Sequence, residues 1–461
     1  GDAALNASIT GGYSTAVGHQ ALTAITSGNG NVGIGFAAGD AITSGSANVA
    51  VGTQALSFNT TASNNTAVGY QAGYSNTTGT GITALGKQAL YSNTTGTSNI
   101  AIGNASMLDN TTGSTNTAIG DTSLPNNTSG GSNTAIGYQS LLSNTTASNN
   151  TAVGYQAGYS NTTGAYLTAT GYFALKNSTA DGNTAFGYNA AGATTSGSYN
   201  TAQGFSALSA NTTGARNVAV GNSALLSNTT ASNNTAVGNA SLDANTTGAQ
   251  NSAFGRNSLG ANTTGSYNTG LGQAALLANT TGQYNVAVGS DSLAANTTAN
   301  NNTAVGYQAL TANTTGDRNT AVGFQAIVSG TGSSSVRNTA VGYQALYTVN
   351  GGYDNTAVGD TALSALTTGH SSTAVGQESL VRATSAVENT AVGYQSMAYT
   401  TTGNSNGGFG RRALYGNTTG SSNTAVGNYA NGSNTTGSYN VAVGQQTLNL
   451  NTAGSYNVAV G

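Results

Sequence analysis

Few residues in this sequence can move protons, hold a metal or bind phosphate, and their spacing assembles none of them into a catalytic site. Twelve acids and two histidines, His19 and His370, are spread along 461 residues. Neither histidine has a carboxylate partner that recurs. Asp354 and Glu388 occupy equivalent positions two repeats apart, a separation of ~9.6 Å if each repeat advances by one strand spacing. That is at the outer edge of the range used by inverting glycosidases. No cleft-forming segment accompanies the pair, so we read two isolated surface acids, a chain that is not an enzyme, and no cofactor. There is no cysteine, which removes disulfides and thiolate metal sites. No Gly-Gly-x-Gly-x-Asp calcium repeat occurs either. Nine Lys and Arg are scattered, with Arg411-Arg412 the sole basic doublet and a net charge of −3. Phosphate backbones demand clustered cations, so nucleic acid is excluded as a partner.

Two sets of residues recur often enough to form a surface. Asn59, Asn76, Asn93, Asn110, Asn127, Asn144, Asn161, Asn211, Asn228, Asn245, Asn262, Asn279, Asn296, Asn313, Asn417 and Asn434 each begin an Asn-x-Thr/Ser triplet. This is the acceptor pattern for N-linked sugar. The same residues at a chain corner would also satisfy backbone groups and stack as a polar ladder, and we favour that role. The second set is aromatic and includes Tyr70, Tyr138, Tyr155, Tyr307, Tyr343 and Tyr394. Exposed rings can stack on sugars or partner surfaces, or shield neighbouring strand edges.

What must position these residues is a repeat. Asn-Thr-Ala-Val-Gly recurs from Gly18 to Gly461 in 27 copies, and 24 of the 26 intervals are 17 residues, with one of 16 (171 to 187) and one of 19 (323 to 342). A 17-residue period is too short for the helical hairpin repeats. Thr, Val and Ile punctuated by Gly and Asn favour strands. We therefore expect an all-β parallel β-solenoid of about 27 turns in one continuous array over 1–461, each turn having two short strands and two corners. Turns stacked ~4.8 Å apart would make a rod of roughly 130 Å.

One turn, Asn302 to Arg318, serves as reference, with columns counted from its first Asn. The third column is Ala in 24 copies and Gly in three, and the eighth is Ala or Ser except at Thr447. Such strictly small columns point to two closely packed walls. Alternation then sends the fourth column, apolar except at Thr170 and Gln203, to the opposite face. The ninth-column Leu joins that outer stripe if it too points outwards. The sixth column accepts Lys87, Asp121, Arg256 and Arg411, and with the mostly polar seventh must face water. Gly306 and Gly316 are expected to supply positive-φ corners. The two-residue insertion within Val328–Arg337 is expected to bulge as a loop.

Composition agrees with a built part. Charged residues are 5% of the chain, against about 25% in typical domains, so Asn, Thr, Ser and Gln must solvate it. A hydrophobic content of 37% at fixed positions argues against disorder. No apolar run approaches the ~20 residues that span a membrane. An exposed apolar stripe running the length of the array is not tolerated on a monomer, so self-association follows; if instead the fourth column fills the interior, the Ala column faces the partner and an oligomer still follows. Thr columns also line ice-binding solenoids, but the two corner Thr here are adjacent rather than alternate.

The motif Asn-Thr-Ala-Val-Gly-Tyr-Gln-Ala-Leu, as in Asn302–Leu310 and in part in Ser14–Gly18, Asn65–Ala72 and Asn457–Gly461, resembles the head repeats of trimeric autotransporter adhesins and related phage-type tail-fibre repeats. The resemblance covers the whole chain, although the family repeat is shorter and lacks the Asn-Thr-Thr-Gly corner. It implies a left-handed β-roll in a homotrimer. It also implies an extracellular, cell-surface or virion fibre shaft that attaches to a host or environmental surface, glycan included. Both ends lie within the repeat, so the chain is read as part of something longer or as joining head to tail.

Overall fold

The structure, a computed structural model, describes residues 4–5, 10–328 and 335–461. They fall into two compact units, Gly1–Ser232 and Asn233–Gly461. Both are parallel β-solenoids of the same construction, with no helix among the described residues. The first unit carries the strands from β1 (Thr15–Val17) to β13 (Val218–Val220), the second those from β14 (Thr235–Val237) to β27 (Val458–Val460). Each strand is three residues long and contributes one rung per turn. Within a unit successive rungs pair in parallel and in register, as in Thr303↔Thr320, Ala304↔Ala321 and Val305↔Val322.

Register is kept where the period fails. The 16-residue interval still aligns Thr168↔Thr184, and the 19-residue interval aligns Thr320↔Thr339. In the short turn, Thr179 N–H donates to Thr195 O and Gly182 N–H to Ala165 O, which locates the missing residue at the corner between Thr179 and Gly182. The expected bulge of Val328–Arg337 falls mainly on residues 329–334, outside the described residues.

The expected second strand is not formed. From the sixth to the eleventh column the chain makes consecutive turns, because Gln308 and Leu310 both adopt left-handed backbone, with φ 54° and 53°. Arg318, at the seventeenth column, does the same at φ 59°. Such conformations disfavour side chains with a Cβ. Here they aim alternate N–H groups along the stack. Gln308 N–H donates back to Ser290 O (3.0 Å), Leu310 N–H forward to Ala326 O (3.0 Å) and Arg318 N–H back to Asn300 O (3.1 Å). At about 1 kcal/mol net per bond, three interturn bonds offset much of that conformational cost.

The left-handed residue also decides which way Leu points. It breaks the in–out alternation, so Ala309 and Leu310 both enter the interior, with Ala304, and all three are fully buried. The Leu column is therefore core, not part of an outer stripe, and each side chain contributes about 2 kcal/mol by burial. Where it lapses to Gly, a neighbour fills the gap. A Cβ at Gly73 would meet Leu56 and Ile82, one at Gly158 would meet Leu141 and Leu167, and one at Gly39 would meet Ile42 and Leu22. Ile82 and Leu167 stand in the first column, where most turns have Asn, and the packing accounts for both.

The two corner glycines differ. Gly306 has φ 133°, and a Cβ there would lie 2.3 Å from the Gly323 carbonyl oxygen of the next turn. Gly316 has no positive φ, contrary to expectation. It is small because a Cβ would sit 2.3 Å from Ser335 O and 2.5 Å from Asn313 Oδ1. Ala62, Ala147, Ala231, Ala299 and Ala386 stand at the equivalent position, so that corner yields to a methyl group.

Candidate interaction surface

Three kinds of surface are candidates: the strand face, the aromatic column and a cationic cluster. On the strand face the third-column Ala points in, and the second and fourth columns point out. The fourth-column side chains are half-buried to exposed, for example 38% at Val68 and 46% at Leu271. Because the core is already filled by Ala and Leu, this column of Val, Ile, Leu and Phe has no internal partner. Thr170 in β10 (Thr168–Thr170) and Gln203 in β12 (Thr201–Gln203) interrupt it within the first unit.

The sixth-column rings project into solvent, with Tyr70, Tyr138, Tyr155, Tyr307, Tyr343 and Tyr394 between 39% and 50% exposed. Most of them stack on one another. Tyr138, Tyr155, Tyr172, Tyr188 and Phe205 form a run with centroids 5.0–5.3 Å apart and planes within 17°. Tyr307, Phe324 and Tyr343 repeat this in the second unit at 5.4 Å. Tyr155 and Phe324 thus have both faces covered, and present edges, with the Tyr hydroxyl, to solvent. Face-on stacking with a sugar is left to the ends of each run. The half-buried Gln column beneath forms a ladder of its own, for example Gln325 Nε2 donating to Gln308 Oε1 at 2.9 Å.

The sixteen corner Asn named above, from Asn59 to Asn434, are fully buried. Asn279 Nδ2 donates to Asn262 Oδ1 of the preceding turn (2.7 Å) and to Gly282 O of its own corner (3.1 Å), and Asn296 Nδ2 continues the run to Asn279 Oδ1 (2.7 Å). A sugar on Nδ2 would have to leave both bonds and the interior. The folded turn thus leaves no room for glycosylation at these positions. A second ladder runs beside the first. First-column Asn285 Nδ2 donates to Ala299 O (2.8 Å), and Asn268 Oδ1 accepts Asn285 N–H (3.0 Å). The buried amides therefore close the corner against the strand.

The two acids singled out by their spacing, Asp354 and Glu388, have separate partners. Asp354 is held by Arg337, with Nε to Oδ1 at 2.6 Å and Nη2 to Oδ2 at 2.9 Å, and that bond keeps its carboxyl below the ordinary range. Glu388 accepts a hydrogen bond from Ser405 Oγ (3.1 Å), and His370 stacks on Tyr353 at 4.5 Å. No group of three or more metal-ligating side chains exists among the described residues, nor any helix long and apolar enough to cross a membrane. The shortened corner leaves an open notch lined by Thr163, Thr179, Asp181, Ser198 and Tyr199.

Cations do cluster: the Arg411-Arg412 doublet is joined by Arg382 from two turns earlier. In the second unit Arg382 lies over Tyr399 (4.0 Å to the centroid), and Tyr399 meets Tyr415 edge-on (4.9 Å). Arg412 lies between Tyr415 (5.0 Å) and Tyr429 (5.4 Å), with Arg411 over Tyr429 at 5.6 Å. Tyr415 is pushed above the ordinary phenol value, first by its hydrogen bond with Tyr399 and then by burial, so it stays neutral. The signal was in the columns: Arg382 and Tyr399 share the eleventh column in consecutive turns.

No protein-family model matches the chain, and no curated protein matches it.

Proposed function

We propose that this chain is the shaft of an extracellular fibre, self-associating through the outer face of its strands and serving attachment by stiffness and repetitive display. The observation that carries this reading is the fourth column. A solenoid whose interior is complete within one chain still directs an apolar side chain outwards from nearly every rung. In the first unit eleven of thirteen fourth-column residues are apolar. At about 1 kcal/mol for the remaining exposed half of each, covering them contributes ~11 kcal/mol, comparable to the 4–15 kcal/mol cost of association. Contiguous apolar surface of this kind marks an interface. In the arrangement the resemblance implies, three parallel, left-handed chains turn these columns towards a common axis. Few charges and many interturn hydrogen bonds suit a shaft, since stability in such arrays is a sum of nearest-neighbour terms.

The test is the mass of the particle in solution, by light scattering coupled to size exclusion, for the chain and for Val288→Lys/Val305→Lys/Val322→Lys. The expected result is a homo-oligomer of three chains, weakened or dissociated by the triple substitution with circular dichroism unchanged. A wild-type monomer at every concentration would remove the proposal.

A further inference from the structure

We infer that the arginine–tyrosine cluster of the second unit is a binding site for an acidic saccharide, recognised through its carboxylate groups. Three of the nine Lys and Arg in the chain, Arg382, Arg411 and Arg412, meet on the turn run within three consecutive turns, about 10 Å from first to last at one strand spacing per turn. The density of cations is the first argument. In a molecule of net charge −3 this is a local concentration of positive charge, and the nearby acid Glu378 is engaged by Gln395 Nε2 (2.6 Å).

The second argument is preorganisation. Arg412 does not hang in solvent. Its Nε donates to Gln395 Oε1 (2.6 Å), its Nη1 donates to the Tyr429 hydroxyl, and two rings flank its guanidinium. Those contacts fix the plane of the guanidinium while leaving Nη2 donors for a ligand, so less rotamer entropy is lost on binding. Tyr429, accepting from Arg412, keeps its own hydroxyl proton to donate outwards. A fixed fork with a hydroxyl donor beside it matches a carboxylate. Arg382 and Arg411 are both exposed and offer further forks at neighbouring turns.

The third argument selects the ligand. The cluster is surrounded by the Gln395 amide and the rings of Tyr394, Tyr399, Tyr415 and Tyr429, a polar and aromatic surface that suits a hydroxyl-rich chain. Three cations are too few to track a nucleic-acid backbone. The cluster sits on the turn run and not on the outward strand face, so the inference stands whether or not the chains associate through that face.

The test uses the full chain and titration calorimetry at low salt with three probes: an oligogalacturonate, the neutral maltohexaose and a single-stranded oligothymidylate. The oligogalacturonate should bind, and its affinity should fall as salt is raised. Arg411→Gln and Arg382→Gln, both at exposed positions, should each weaken it by about tenfold, equivalent to ~1.4 kcal/mol, with the circular dichroism spectrum unchanged. No binding of the oligogalacturonate, equal binding of maltohexaose, or indifference to both substitutions would overturn the assignment. Binding of the oligothymidylate as tight as that of the oligogalacturonate would also overturn it, in favour of a generic polyanion site.

Discussion

Within the second unit the same corner column is built in two ways. From Asn245 to Asn313 every turn places an asparagine there, and the amides hydrogen-bond from turn to turn at 2.7–3.4 Å. From Val349 to Thr400 the column reads Val349, Leu366, Ala383 and Thr400, all fully buried. The backbone is indifferent to the change. Thr280 N–H donates to Thr297 O at 2.9 Å in the first region, and Thr367 N–H to Thr384 O at 2.8 Å in the second. The corner is thus held by main-chain bonds, and its side chains have only to fill the interior consistently. An asparagine ladder is satisfied because its neighbours are asparagine, and an aliphatic run because its neighbours ask for no hydrogen bond. Cost concentrates at the seams. Thr400, between Ala383 and Asn417, has a buried hydroxyl with no partner.

Swapping one member between the regions should show this most strongly. Leu366→Asn combines a lost aliphatic side chain with a buried amide among apolar neighbours, and should cost about 4 kcal/mol. Local stability, read by hydrogen exchange at the Thr367 amide, would report it, and an unchanged protection factor would break the comparison. Next come the features that the regions share. Ala304→Leu and Ala374→Leu overpack the same third column and should each cost about 3 kcal/mol, equally in both regions. A marked inequality would mean that the corner side chains set the width of the interior. Asn279→Ala leaves the Asn296 amide and the Gly282 carbonyl short of a partner, for about 2 kcal/mol by the same exchange measurement.

A change of opposite sign sharpens the point. Asn431 occupies the Leu column, fully buried, with neither its Nδ2 nor its Oδ1 hydrogen-bonded. Asn431→Leu should stabilise the turn by about 2 kcal/mol, visible as slower exchange at Asn434. The smallest effect is expected from Tyr307→Ser. It removes one end of a ring stack worth up to about 1 kcal/mol and should leave the thermal midpoint nearly unchanged.

Much of this was legible in the repeat. The period and the parallel register follow from the repeat, and the strictly small third column favours inward Ala304 and outward Val305 over the reverse. The turn run was not, because Gln308 and Leu310 carry left-handed backbone that neither residue type signals. The direction of Leu310 stays open in the sequence for the same reason. Burial of the corner Asn was hidden by their polarity, since a single Asn reads as surface and only a column of them can satisfy itself inside. The Arg382–Arg412 cluster is spread over 31 residue positions and becomes one feature only when successive turns are laid over each other.

The tolerance of the strand register to 16- and 19-residue intervals has a consequence for the gene. Whole 17-residue units can be duplicated or lost by recombination, and each new junction brings glycine against glycine as every old one does. The Thr-Thr-Gly corner has already shed one residue without disturbing Thr168↔Thr184, so a change of length is absorbed there and the strand ladder, not the corner, sets the reading frame of the stack.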